Sequence, residues 1–118
     1  MTRIVDASAS LIDIPVETVR TDAVQSFLKQ ETVFVMLKTD DGASGIGYAY
    51  TIGTGGTAVL ALLRDYLLDA LIGEDATQIE ALWQALFART RATTVGAVTS
   101  LALAAVDTAL WDLRCQRA

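Results

Sequence analysis

The 118 residues include no histidine and a single cysteine, Cys115. That removes the commonest general base and a leading transition-metal ligand together. No zinc-binding set can be assembled from what remains. Chemistry done by these residues alone would rest on carboxylates, Lys29, Lys38, Tyr48, Tyr50 and Tyr66. Asp40-Asp41 and Glu74-Asp75 are adjacent acids that could hold a cation, but both pairs stand at turn and cap positions where acids are favoured anyway. Asp107 and Asp112 are more informative because they lie inside an apolar helical pattern, where a carboxylate is costly unless it is paired or reaches solvent. Each is expected to bond a backbone N–H or an arginine (Arg89, Arg91 or Arg114). Five residues apart, they do not share a helix face as metal ligands at i and i+4 would. Lys38, beside Asp40 near the end of a strand, reads as a solvated edge charge.

Two segments are better candidates. Thr51-Ile52-Gly53-Thr54-Gly55-Gly56 could aim backbone N–H groups at a phosphate. It matches neither the dinucleotide fingerprint nor the P-loop pattern, and no lysine follows. The unit before it is an antiparallel hairpin, whereas dinucleotide sites open a parallel βαβ unit. It therefore reads as an ordinary mobile loop. Val16–Gln30 has no clean period and holds Glu17, Thr18, Arg20, Thr21, Asp22, Gln25 and Ser26. A loop of about fifteen residues is long enough to suspect function. Two such loops at one end of a small sheet make a lid.

The elements that must position them follow from periodicity. Arg3–Ile14 reads as a strand, with Val5, Ala7, Ala9 and Leu11 alternating with polar residues and Pro15 ending it. Glu31–Thr39 is a second strand and Ala43–Tyr50 a third, joined by the tight turn Asp40-Asp41-Gly42. Gly45 and Gly47 imply that another backbone or side chain lies close to the third strand. Thr57–Ile72 is a helix with Leu60, Leu63, Leu67 and Leu71 on one side, stopped by Gly73. Asp75-Ala76-Thr77-Gln78 has the form of a capping box. The helix after it turns Ile79, Leu82, Trp83, Leu86 and Phe87 inward. Val95–Arg117 is a third helix, capped by Thr93 or Thr94. Leu103, Val106, Leu110 and Leu113 form its first apolar face, and Leu101, Ala105, Thr108 and Trp111 a second. The fold class is α+β: a three-stranded antiparallel sheet followed by three helices packed on one of its faces.

The totals bound the rest. This length is one domain. An apolar content of 53% with positive mean hydropathy exceeds what one small core consumes, so an interface is expected. The net charge of −5 disfavours nucleic acid and anionic membrane surfaces. No apolar run reaches the ~20 residues of a membrane span; Thr57–Ile72 comes nearest, broken by Arg64, Asp65 and Asp69. One cysteine and no signal peptide point to the cytoplasm. The chain reaches Ala118 with no Gly, Asn or Pro to end the third helix, so the sequence is expected to be a piece of a larger protein.

The hairpin TDDGASGIGYAY, the segment EDATQIEALWQAL and above all ALAAVDTALWDLRCQRA together resemble one family. They are similar to the amino-terminal capping domain of the mandelate racemase / muconate lactonizing enzyme group of the enolase superfamily. The resemblance covers essentially the whole chain, and the run Ala105, Asp107, Ala109, Trp111 and Asp112 is its most specific part. It implies residues 1–118 as a lid over a (β/α) barrel expected after residue 118. That barrel would supply three acidic ligands for Mg²⁺ and the Lys or His bases that remove a proton alpha to a carboxylate. Catalytic and metal-binding residues would then be absent from this chain. The lid loops would fall on Val16–Gln30 and Tyr50–Gly56, turning Asp22, Ser26, Phe27, Tyr50 and Ile52 toward a small carboxylate substrate. Asp107 and Asp112 carry over as structural positions only. Tyr48 stands where muconate-type relatives place a glutamate after Gly-x-Gly, which is closer to the racemase and sugar-acid dehydratase branches. With a polar first loop, this favours an acid-sugar dehydratase. The alternatives are a racemase/epimerase or cycloisomerase of the same group and, from another class, a stand-alone binding or assembly module. A homo-oligomer is expected.

Overall fold

The computed structural model describes residues 2–23, 26–93 and 96–118, with backbone alone at 26–28. Strands β1 (Ile4–Thr21), β2 (Ser26–Thr39) and β3 (Ser44–Thr51) form one antiparallel sheet in the order β1-β2-β3. Helix α1 (Gly56–Leu62) runs on as a π-helical turn over Leu63–Leu67 and a 3₁₀ turn over Leu68–Leu71. Helix α2 (Ile79–Arg89), a 3₁₀ turn (Arg91–Thr93) and helix α3 (Ala97–Arg117) complete the chain. The expected class, an α+β fold with three helical segments on one sheet face, is the one found.

The core lies between the sheet and the helices. Val33, Val35 and Leu37 of β2 are fully buried against Leu63, Leu67, Leu71, Val106, Leu110 and Leu113. Gly45 and Gly47 explain how α3 comes so close. A Cβ on Gly47 would overlap the Ala105 carbonyl oxygen and the Ala109 backbone nitrogen. One on Gly45 would overlap the Ala109 carbonyl oxygen and the Leu113 side chain. The α3 backbone thus rests directly on β3, and Ala102, Ala105 and Ala109 are buried at the contact. A side chain of α3 and one of the π-helical turn each occupy a backbone group on an edge of the sheet. The Ile46 N–H of β3 donates to Asp112 Oδ2 at 2.8 Å, and Arg64 donates to the Ala9 carbonyl of β1 at 3.0 Å. Occupied edge groups cannot recruit a foreign strand.

Several local expectations are corrected. Val16–Gln30 is not one loop: β1 and β2 run on as a paired ladder to Thr21 and Ser26, and Pro15 does not end β1. As β1 is an edge strand, a proline is tolerated there, and the register slips between Pro15 and Arg20. A second slip, between Ile4 and Asp6, buries Ile4 and turns Val5 out to 55% exposure, which reverses the inward place expected for Val5. The Asp75 segment is not a capping box. Asp75 Oδ1 accepts from the Thr77 N–H and hydroxyl (3.0 and 2.8 Å), while Gln78 is the N-cap and makes no side-chain cap bond. This Asx turn is the local alternative that Asp offers a backbone.

Trp83 and Phe87 do not face inward. They stack on each other at 5.2 Å on the surface, 40% and 37% exposed. On α3 the first apolar face is buried as expected. Of the second, Ala105 is buried and Leu101 half-buried, but Thr108 and Trp111 are exposed. Alanine is what fits where a helix touches glycine. The N-cap of α3 is Gly96, whose N–H donates to Thr99 Oγ1 at 2.8 Å; Thr93 instead donates its hydroxyl to the Thr90 carbonyl, and Thr94 lies outside the described residues. Gly73 ends the helical stretch as expected, at φ +84°. Its N–H donates to the Ile4 carbonyl at 2.8 Å, which ties the start of β1 to that corner.

Candidate lid cavity

The long β1–β2 ladder reaches past the end of β3, since Thr51 pairs with Glu31 while β2 starts five residues earlier, at Ser26. The overhanging arm and the end of β3 enclose a cavity of about 510 Å³. Its walls are Ile14–Thr18 and Arg20 of β1, Lys29 and Gln30 of β2, and Tyr50 and Ile52. Tyr50 follows Ile46 and Tyr48 in strand alternation, so it points away from the helices. It is 49% exposed, and Ile52, just past the strand, is 46% exposed. Lys29 Nζ lies 3.4 Å from Asp13 Oδ2, an exposed pair of small energetic weight.

Beneath the cavity the glycine loop has a firm base. Glu31 is buried, and its Oε1 accepts the Thr51 hydroxyl at 3.0 Å. Gly56, the first residue of α1, packs so closely on Glu31 that a Cβ there would lie 2.9 Å from the Glu31 side chain. The loop carrying Ile52 is therefore held at both its ends. No described lysine follows it and α1 is short, which leaves no phosphate cradle.

Of the five residues expected to face a ligand, Tyr50 and Ile52 line the cavity together. Asp22 is exposed near the tip of the arm and is not part of the wall. Ser26 and Phe27 pair with Thr21 and Arg20 across the ladder, and their side chains lie outside the described residues. Reading the arm as a loop hid Arg20, Lys29 and Gln30 as wall residues; the alternation of an extended hairpin would have revealed them.

The helix acids part company. Asp112 bonds the Ile46 N–H as expected and also accepts from Gln116 at 3.3 Å. Asp107 makes no hydrogen bond or ion pair among the described residues, and desolvation raises its pKa above the ordinary value. The arginine partner expected for it is not there; Arg114 instead lies over the Trp111 ring at 5.1 Å. Among the described residues no three acidic or cysteine side chains converge where they could hold a metal. The described residues therefore offer Mg²⁺ no site of their own, and the concave surface among them is the cavity wall.

Comparison with known proteins places this geometry. Residues 3–118 match the model of the mandelate racemase / muconate lactonizing enzyme N-terminal domain, so the chain belongs to that family. It is 39% identical over 92% of its length to a 3,6-anhydro-alpha-L-galactonate cycloisomerase of Streptomyces coelicolor. It is 46% identical over 72% of its length to a D-mannonate dehydratase of Caulobacter sp.. Among solved structures it superposes on a magnesium-bound racemase from Streptomyces coelicolor with a TM-score of 0.93 at 37% identity, over 97% of this chain and 32% of that one. An L-talarate dehydratase from Polaromonas sp., complexed with Mg and L-glucarate, gives 0.92 at 29% identity, over 99% and 33%. The chain spans 30% and 21% of the length of the two sequence relatives.

Proposed function

We infer that residues 1–118 are the capping domain of a Mg²⁺-dependent enolase-superfamily enzyme that removes a proton alpha to a carboxylate. The enzyme is an acid-sugar dehydratase of the cytoplasm, working as a homo-oligomer. A barrel after residue 118 holds the bases and the metal. This domain closes the substrate under the arm and the Tyr50–Gly56 loop, with Asp22, Ser26, Phe27, Tyr50 and Ile52 toward it. The observation that carries the reading is the open cavity lined by Tyr50 and Ile52, in a family member whose own described residues assemble no metal site. The L-talarate dehydratase that it superposes on is complexed with Mg and L-glucarate, an acid sugar.

Dehydration of such an acid removes the alpha proton, expels the beta hydroxyl as water and leaves a 2-keto-3-deoxy acid. A lid serves this step by excluding bulk water and fixing the far end of the chain. The test is the full-length protein with acid sugars in D₂O: alpha-proton exchange and the 2-keto-3-deoxy product are expected, and both should stop in chelator. Equal turnover in chelator rejects the reading. A second reading, cycloisomerase, is favoured by the relative matching 92% of the chain. It predicts turnover of an anhydro acid by beta elimination of its ring oxygen, giving a product of the same mass as the substrate, with no water lost.

A further inference from the structure

The cavity wall carries a charge pattern that closure alone does not require. Two of its side chains are cationic, Arg20 and Lys29, against one acid, Glu17, in a chain of net charge −5. Lys29 is already matched by Asp13 at 3.4 Å. The Arg20 side chain makes no ion pair or hydrogen bond among the described residues. It stands exposed on the overhanging arm, at a wall shared with the open faces of Tyr50 and Ile52. A guanidinium offers N–H donors in a planar fork that matches both oxygens of a carboxylate at once. A terminal hydroxymethyl group offers that fork one uncharged acceptor oxygen, so the second bond of the fork and the attraction between opposite charges are both lost.

The carboxylate beside the reacting carbon has its place elsewhere. It must lie with the metal and the bases, and this chain has no histidine and no converging acids among its described residues. An anion taken by Arg20 is therefore a different group of the same molecule. We propose that Arg20 receives a second, terminal carboxylate of the substrate, so that the acid sugar handled under this lid is a dicarboxylate. The proposal rests on the lid reading above and narrows it. Arg20 sets specificity and does no chemistry: it lowers KM for diacids and leaves the proton-transfer step alone.

The test uses the full-length protein and matched pairs of acids that differ only at the far carbon, galactarate against galactonate and glucarate against gluconate. The diacid of the productive pair is expected to have a KM at least tenfold lower. Arg20→Gln should raise that KM about tenfold, leave kcat within twofold and raise the monoacid KM far less than the diacid KM. Arg20→Lys should recover part of the loss, and added NaCl should raise the diacid KM in the wild type only. Because Arg20 is exposed, the melting temperature should not move, which separates a binding effect from misfolding. Equal KM values within the pair, or an equal loss for both acids in Arg20→Gln, overturn the proposal. Turnover of monoacids alone also overturns it while leaving the lid reading intact. Absence of alpha-proton exchange with any of the four acids removes both.

Discussion

At the scale of single residues, backbone proximity sets sharper limits than side-chain chemistry. Gly47 has α3 backbone atoms on its open side, and neither the Ala105 carbonyl nor the Ala109 nitrogen can rotate away. Gly47→Ala must push helix and strand apart, a misfit of about 3 kcal/mol by the overpacking range. Urea unfolding would read it as a lower midpoint. Asp112→Ala leaves the Ile46 N–H without its acceptor and should cost about 1–2 kcal/mol, whereas Asp107→Ala removes no bond. The two acids also differ in sign with pH. Burial raises the Asp107 pKa above 3.8, so the folded state holds its proton more tightly than the unfolded one. Its contribution is therefore most favourable below pH 3.8 and is lost as pH rises through the folded pKa. Asp41 and Asp75 act in the opposite direction. The Thr39 hydroxyl and Ala43 N–H lower the first, and the Thr77 N–H and hydroxyl lower the second. Their stabilisation is present above 3.8 and is lost as pH falls through their folded values. Melting curves between pH 2 and 7 should show Asp107→Asn gaining relative stability at neutral pH, and Asp41→Asn and Asp75→Asn flattening the acid decline.

At the scale of elements, the β1–β2 ladder is two structures in one. From Ile4 to Ile14 it covers the core, where Val33, Val35 and Leu37 are fully buried. Beyond Pro15 the described side chains of β1 are exposed apart from the half-buried Val16, and none of them belongs to the buried core. Protection from hydrogen exchange should fall steeply along β1, with Thr18–Thr21 opening locally and the core ladder opening only on global unfolding. Uniform protection would contradict this. The same division explains what could be read from the sequence. Glu31–Thr39 and Ala43–Tyr50 were legible within a residue or two, except that β2 begins earlier, because alternation is strict wherever one face is buried. The arm was not legible: with no buried face, no alternation in hydrophobicity was required of it. The helices show the converse. Trp83 and Phe87 fit the inward spacing, yet stacking on each other satisfies them at the surface. The π turn at Leu63–Leu67 was invisible because the leucines stay inward through it. At the site, Tyr50 and Ile52 came from the family resemblance and line the cavity, while Arg20 was not singled out because the arm read as a loop.

At the scale of the whole molecule, shape and surface point the same way. A compact chain of this length should have a radius of gyration of about 13.5 Å, and the observed value is 15.1 Å along a 49 Å long axis. The excess is the overhanging arm. Apolar surface is left open on two sides. The sheet face away from the helices shows Met36, Ile46, Tyr48 and Tyr50, and the α2–α3 surface shows Trp83, Phe87 and Trp111. Patches of this kind on a domain otherwise carrying net negative charge are the surfaces on which association is expected. Residues 1–118 prepared alone should therefore associate at micromolar concentration, seen in sedimentation velocity as species heavier than 12.6 kDa. Trp83→Gln with Phe87→Gln should shift the fragment toward monomer with little change in its melt, since neither side chain belongs to the buried core. If the barrel proposed above covers this patch, the same pair of changes should lower the melting temperature of the full-length protein. A fragment that sediments as a monomer, melts cooperatively and is indifferent to the two substitutions would identify the domain as self-sufficient. It would remove the reason to expect a catalytic body against it.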